Sequence, residues 1–176
     1  MWSLIFGERE PRPARSLWSG RTATSLAVAL AVIGLDRWTK QLAVEHLLES
    51  GVHSIPLVGE LLKLTYVENR GAAFGLLQNQ TLFFVVVGAV VIAVIVGSYR
   101  YMPEPGWLLT VCLGLQLGGA IGNLVDRVRV GYVVDFLELP YWPVFNVADS
   151  AICIGVAGLA LSVLWQRDGQ TASASA

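Results

Sequence analysis

Charged residues are scarce in this sequence. Lysine, arginine, aspartate and glutamate make up 14% of its 176 residues, whereas a soluble domain carries about 25%. Hydrophobic residues make up 55%. A chain with so few charges is expected to expose much of its surface to lipid, and its net charge of −1 gives no indication of nucleic-acid binding.

Cysteine and histidine are also rare, with two of each. Cys112 and Cys153 both lie in apolar runs, so a disulfide framework is not expected and the thiols should be inert. His46 and His53 share one hydrophilic loop, where a solvated surface is a better interpretation than a metal site because no known zinc-ligand spacing is present. We therefore expect no metal and no cofactor.

Four apolar runs are each long enough to cross about 30 Å of hydrocarbon as a helix. Pro103 and Pro105 separate the second run, which contains no charge, from the third. The pattern predicts a single all-α membrane domain over residues 1–176, with polar tails at 1–20 and 168–176. The four runs cover roughly Thr22 to Val44, Thr81 to Tyr99, Trp107 to Val128 and Phe145 to Trp165.

The distribution of arginine predicts how the chain is oriented in the membrane. Cations near the ends of the spans favour the cytoplasmic side, and an arginine cluster precedes the first run. Other cations fall on the opposite side, so this cluster decides the orientation. Both termini are then cytoplasmic, and segments 45–80 and 129–144 are outside. The cations assigned to the cytoplasm are Arg9, Arg12, Arg15, Arg21, Arg100 and Arg167.

The two outer segments contain extended sequence. Apolar and polar residues alternate from Leu61 to Glu68, which predicts a strand, and Asn69-Arg70-Gly71 is typical of a turn. The stretch Gly131 to Leu139 is also predicted to be extended. We expect these pieces to pair into a small sheet at the membrane interface, because open sheet edges are not tolerated in hydrocarbon.

Asp135 is surrounded by apolar residues and has no local cation. Burial would raise its pKa, so that the carboxyl group could hold a proton near neutrality. A carboxylate at a turn or edge strand, pointing to water, is the structural alternative. Asp149 lies three residues after Asn146, a spacing typical of a capping box at a helix start. Capping and catalysis do not exclude each other at Asp149. Two carboxyl groups brought together can share one proton.

Other polar residues lie in or beside the apolar runs. Asp36 and Lys40 have the i, i+4 spacing of a helical ion pair, for which a structural role is the simpler interpretation. Asp126 is expected to remain ionised beside Arg127, either as a structural clamp or as part of a catalytic site, with Asn123 on the same helix face. Arg127 retains a forked donor that could hold a substrate carbonyl.

A glycine-rich stretch, Gly71 to Gly75, follows Asn69 and could be a tight turn or the wall of a peptide-binding groove. Intramembrane acids also mark proton paths, so a proton-coupled transporter is an alternative function, as is a non-enzymatic assembly factor. A transporter is disfavoured because Asp135 lies in an outer segment, whereas coupling groups lie near mid-membrane.

Four motifs in order complete the pattern: DRWTK, YVENRGAAFG, GGAIGNLVDRVRVGYVVDF and FNVADSAI. Together they closely resemble the lipoprotein signal peptidases (signal peptidase II), from about Leu35 to Ile154. The resemblance implies an aspartyl protease of the bacterial inner membrane with four transmembrane helices and an extracytoplasmic β-cradle. Such enzymes remove signal peptides from diacylglyceryl-modified prolipoproteins, cleaving just before the lipidated cysteine.

The resemblance also implies roles for individual residues. Asp135 and Asp149 match the catalytic pair of the family. Its implied partners are prolipoprotein substrates and membrane lipids, and we expect a monomer with its active site at the extracytoplasmic face. The remaining matched residues are Asn69, Gly71, Asn123, Arg127 and Asn146 in the substrate site, with Asp36, Lys40 and Asp126 as supporting polar groups.

Overall fold

The computed structural model describes residues 20–72, 76–101 and 106–174 of the chain. Within them are four α-helices, a π-helical segment and three strands. The predicted tail before residue 20 lies outside the described residues, as do Pro103 and Pro105, which were predicted to break the chain after the second apolar run. The elements are α1 (Gly20–Ala43), the π-helical segment (Val44–Glu49), β1 (Ser54–Val58), β2 (Leu62–Asn69), α2 (Thr81–Tyr101), α3 (Trp107–Arg129), β3 (Val133–Glu138) and α4 (Val147–Ala174).

Each of the four apolar runs forms a helix, but the helices differ in their exposure. Thr81–Tyr99 and Trp107–Arg129 are long and apolar enough to cross a membrane, with mean hydropathies of 2.7 and 1.7. The first of these is almost wholly exposed, whereas more than half of the second is buried within the protein. Val147–Ser162 is a shorter apolar helix, and α1 carries several charges. The count of four membrane spans therefore stays a prediction.

Helix α3 lies at the centre of the bundle because small residues let its neighbours approach closely. A methyl group built on Gly118 would lie 2.7 Å from the backbone oxygen of Ala29 in α1, and one built on Gly114 would lie 2.6 Å from that of Ser25. Such close contact of small residues is the usual way in which helices associate in lipid. Leu113 and Leu117 of α3 continue the interface as part of a buried apolar cluster.

The three strands form one antiparallel sheet in the order β1-β2-β3. Both strands predicted from the sequence are present and pair with each other, with Asp135 opposite Val67 and Val133 opposite Asn69. Strand β1 was not predicted, because it is short, mostly exposed and lacks alternation. The sheet packs on the end of α1 through a buried cluster that contains Leu47 and Phe136.

The contact between α1 and α3 leads to a prediction about stability. The substitution Gly118→Ala should lower the free energy of unfolding by roughly 1 to 3 kcal/mol, the usual cost of overpacking, because the added methyl group would collide with the backbone of Ala29. The free energy can be measured by reversible unfolding of the purified protein in mixed detergent micelles.

Gly34→Ala is the matched control, since Gly34 is also helical but has nothing within 4 Å of the added methyl group. The control should be neutral, or more stable by up to about 1 kcal/mol, because alanine favours helix. Equal effects of the two substitutions would contradict this account of the helix contact.

Candidate active site

Asp135 is buried in the centre of strand β3, with only 1% of its surface exposed. This excludes the alternative of a carboxylate pointing to water. Two side-chain amides donate to it: Asn69 Nδ2 to Oδ2 at 2.9 Å and Asn146 Nδ2 to Oδ1 at 2.6 Å. Asn69 reaches Asp135 because the antiparallel register places it on the neighbouring strand, opposite Val133.

The environment of Asp135 favours its protonated form. Its pKa is raised from 3.8 to about 7, chiefly by burial and to a lesser extent by the negative charge of Asp149. The amide donors and the positive charge of Lys40 lower the pKa and only partly offset these effects. A carboxyl group with these properties can exchange a proton near neutral pH.

Asp149 lies in the first turn of α4, where the predicted capping box is present. The backbone N–H of Asp149 donates to Asn146 Oδ1 at 2.9 Å, and the backbone N–H of Asn146 donates to Asp149 Oδ2 at 3.3 Å. The capping interaction leaves Oδ1 of Asp149 for another donor, Asn123 Nδ2 at 2.7 Å. Capping therefore fixes the position of this carboxyl group and still allows it a second role.

Asn146 connects the two carboxyl groups. Its side-chain NH2 donates to Asp135, while its side-chain oxygen accepts from the backbone of Asp149. The same NH2 also lies 3.2 Å from Asn123 Oδ1 and 3.4 Å from the carbonyl oxygen of Val134. One buried asparagine thus sets the relative positions of β3 and α4 at the site.

A buried ion cluster supports this arrangement, and Lys40 is at its centre. Its Nζ lies 2.8 Å from Asp36 Oδ2, 2.8 Å from Asp126 Oδ2 and 3.1 Å from Asn123 Oδ1. The predicted ion pair between Asp36 and Lys40 is confirmed. Asp36 Oδ1 also accepts from the backbone N–H of Ala148 at 3.0 Å, so α1 holds the start of α4.

Arg127, the cation expected to keep Asp126 ionised, forms no ion pair with it among the described residues. Asp126 instead pairs with Lys40 and with Arg37, whose Nη1 lies 2.6 Å from Asp126 Oδ1. Adjacent residues on a helix point in different directions and do not face each other. Sequence analysis missed Arg37, because nothing local indicates that it would face α3.

Arg127 points toward the turn that follows β2. Its Nη2 donates to the carbonyl oxygen of Gly71 at 3.3 Å, and its guanidinium lies 4.9 Å from the centre of the Phe84 ring. The predicted turn is present, since the backbone N–H of Gly71 donates to Asn69 Oδ1 at 3.0 Å. Within the described residues Arg127 forms no ion pair. Residues 73–75 of the glycine-rich stretch lie outside the described part of the chain.

The structure therefore brings most of the predicted site residues together. Asp135 and Asp149 meet through Asn146 and Asn123, with Asn69 on one side and the ion cluster on the other. The described ranges contain no group of three or more side chains that could hold a metal. Cys112 and Cys153 are free thiols, the first buried and the second exposed.

Comparison of the sequence with known proteins gives a consistent result. The family model of signal peptidase (SPase) II matches residues 28–165. The lipoprotein signal peptidase of Moorella thermoacetica is 48% identical over 141 residues, which cover 80% of this chain and 90% of the relative. The lipoprotein signal peptidase of Caldanaerobacter subterraneus is 51% identical over 132 residues, covering 74% and 89%.

Comparison of the fold agrees with the sequence matches. A solved structure described as a bacterial membrane enzyme superposes with a TM-score of 0.75 at 28% identity, covering 84% of this chain and 91% of the other. A second structure with the same description gives a TM-score of 0.71 at 29% identity.

The environment of Asp135 predicts how it titrates. Its carboxylic-acid infrared band should disappear with a midpoint near pH 7, because burial favours the neutral form. The folded protein then holds a proton that the unfolded chain releases near pH 3.8. This contribution to stability is full below pH 3.8 and is lost as the pH rises through about 7.

The measurement is a pH series of infrared spectra on the purified protein. Asp135→Asn serves to assign the band, which should be absent from the variant. A midpoint near the ordinary value of 3.8 would show that Asp135 is not desolvated in the folded protein.

Proposed function

The chain belongs to the signal peptidase II family, and on that premise we propose that Asp135 and Asp149 are its catalytic pair. The enzyme is an aspartic endopeptidase that removes signal peptides from diacylglyceryl-modified prolipoproteins, just before the lipidated cysteine. The observation that carries our assignment is the connection of two carboxyl groups through one buried asparagine, Asn146. Asp135 also has the raised pKa that proton transfer near neutral pH requires.

In the proposed mechanism the two carboxyl groups share one proton, because like charges at close range disfavour double ionisation. The ionised group takes a proton from a water molecule, whose oxygen attacks the scissile carbonyl carbon. The protonated group donates to the carbonyl oxygen as it becomes negative. The tetrahedral intermediate then collapses and the C–N bond breaks. The leaving nitrogen receives the proton held by the first carboxyl group, and the carbonyl oxygen returns its proton to the second as the C=O bond re-forms.

The residues around the pair are proposed to bind the peptide substrate. Arg127 has guanidinium donors beyond the one that contacts Gly71, and these can hold a carbonyl oxygen of the substrate backbone. Asn69 lines the site where it donates to Asp135. The carbonyl oxygen of Gly71 accepts from Arg127, and this contact holds the backbone of the turn beside the guanidinium. An extended signal peptide would then lie between this turn and strand β3.

Lys40 is proposed to position the catalytic pair rather than to react. It binds Oδ1 of Asn123, so the NH2 group of Asn123 must face Asp149. It also neutralises Asp36, which holds the start of α4 through Ala148. Through these contacts one cation fixes both the donor to Asp149 and the helix that carries Asp149.

We propose further that the protein is a multi-pass protein of the bacterial cytoplasmic membrane, with both termini in the cytoplasm and the sheet outside. The family and its structural neighbours are bacterial membrane enzymes. Trp38 and Trp142, both 62% exposed, suit the outer interface, and Trp107, 63% exposed, suits the cytoplasmic one. This places the pair where a substrate can keep its acyl chains in the bilayer. We expect a single-domain monomer surrounded by lipid.

The proposed pair can be tested with substitutions that keep the shape of aspartate. Asp135→Asn and Asp149→Asn should each abolish cleavage in a folded protein, and the double variant should be little worse than either, since members of a catalytic unit are non-additive. Asp126→Asn should instead lower stability and leave measurable turnover, because Asp126 pairs with two cations. The measurement is single-turnover cleavage of a diacylglyceryl-modified precursor, with thermal unfolding of each variant.

Glu138→Gln is the matched control, because Glu138 is another carboxylate of strand β3 and bonds only to Thr65 in the described part of the chain. It should keep full activity. If Asp126→Asn is folded and inactive while Asp135→Asn still turns over, the pair has been wrongly assigned.

The role of Lys40 can be tested through the pH profile of cleavage. Its positive charge lowers the pKa of Asp135, so Lys40→Met should move the alkaline limb of the profile to higher pH, besides lowering stability. The position of this limb does not depend on how much of the variant is folded, so it separates positioning from a purely structural role.

Lys63→Met provides the control for charge, since Lys63 pairs with Glu60 in the hairpin of β1 and β2. The control should leave the profile unchanged. An alkaline limb of Lys40→Met at the position of the parent enzyme would show that Lys40 acts only on folding.

A further inference from the structure

A second concavity borders the ion cluster, and Lys40 and Asp126 of that cluster form part of its lining. It has a volume of about 250 Å³ and is formed by the adjacent ends of α1 and α3 and by the sheet. Neither carboxyl group of the catalytic pair lines it. Besides Lys40 and Asp126, its polar wall contains Arg37, Gln41, Tyr66, Arg129 and Tyr132.

The charges of this pocket do not balance. Lys40 and Arg37 are matched by the carboxylates of Asp36 and Asp126. Arg129 is exposed and has no ion pair or hydrogen bond with any described residue. Arg37, Lys40 and Arg129 with Asp36 and Asp126 therefore carry one uncompensated positive charge. It belongs to Arg129, whose guanidinium donors bond to no residue in the described part of the chain.

Further donors converge on the same space. Arg37 uses Nη1 for Asp126, which leaves its Nε and Nη2 donors. The hydroxyls of Tyr66 and Tyr132 lie 3.4 Å apart, so one donates to the other and one hydroxyl hydrogen remains. One N–H of the Gln41 amide donates to Glu45, which does not line the pocket, and the second N–H remains. A pocket of unused donors with a positive charge suits an anion.

The rest of the pocket is apolar and continues onto exposed apolar surface. Leu48 and Val130 line it and are 50% and 51% exposed. Trp38 and Val128, each next in sequence to one of the arginines, are 62% and 68% exposed. Cationic donors beside exposed apolar side chains match a molecule with an anionic end and an apolar body.

We propose that this pocket binds the headgroup of an anionic glycerophospholipid. The phosphate would lie between Arg37 and Arg129 and accept from a tyrosine hydroxyl, while the acyl chains run along α1 and α3 past Val128. The volume is large enough for a glycerophosphate group but not for a folded peptide segment. The proposal rests on membrane insertion and does not depend on the assignment of the catalytic pair.

The test uses the full chain, purified in detergent, with phosphatidylglycerol and phosphatidylcholine as probes. Native mass spectrometry should show retained phosphatidylglycerol in preference to phosphatidylcholine. Arg129→Gln should weaken phosphatidylglycerol binding about fivefold, the effect expected for one arginine at an anionic lipid surface. Arg129→Lys should keep most of the binding, because it keeps the charge.

Lys63→Gln is the matched control, because it removes one positive charge from the outer sheet, away from the pocket. It should bind lipid like the parent protein. Equal binding by Arg129→Gln and the parent would overturn the proposal, as would equal retention of the two lipids. Displacement of phosphatidylglycerol by inorganic phosphate would show instead a site for a soluble anion. The infrared titration of Asp135 should be the same in Arg129→Gln as in the parent protein. A loss of lipid binding with an unchanged titration would therefore concern this pocket and not the proposed catalytic pair.

Discussion

The structure depends on neutralising carboxylates that are buried among apolar helices. Isolated charges cost several kcal/mol when removed from water, and removal of one partner from a buried pair leaves that cost uncompensated. Lys40 meets the requirement for both Asp36 and Asp126 at once. Because these two acids belong to different helices, the same interaction that neutralises them also joins α1 to α3, and Asp36 extends the connection to the start of α4.

The same constraint gives the buried acids of the protein different surroundings. Asp126 has two cations within 2.8 Å, and it is therefore suited to holding the fold together. Among the described residues, the side chains that donate directly to Asp135 are two neutral amides, from Asn69 and Asn146. Without a paired cation, burial favours its protonated form. Asp126 and Asp135 thus lie in one buried region with different surroundings, because cations contact Asp126 and neutral amides contact Asp135.

The sequence by itself determined the features that depend on neighbours along the chain. The length and hydropathy of the apolar runs were sufficient to predict the four helices. The alternation of apolar and polar residues was sufficient to predict strand β2. Helical spacing gave the pair of Asp36 and Lys40, and the capping-box spacing gave the contacts of Asn146 with Asp149. These predictions succeeded because the geometry of a helix fixes which residues three and four positions apart must meet.

Only the tertiary structure decided how distant segments meet. The partners of Asp126 are Arg37 and Lys40 of another helix, although Arg127 is its neighbour in sequence. The amides that contact Asp135 come from β2 and from the start of α4, and the strand β1 forms only as an edge of β2. Such contacts depend on how closely helices approach and on the register of strands. Both are set by packing over the whole molecule, which no local pattern of residues encodes.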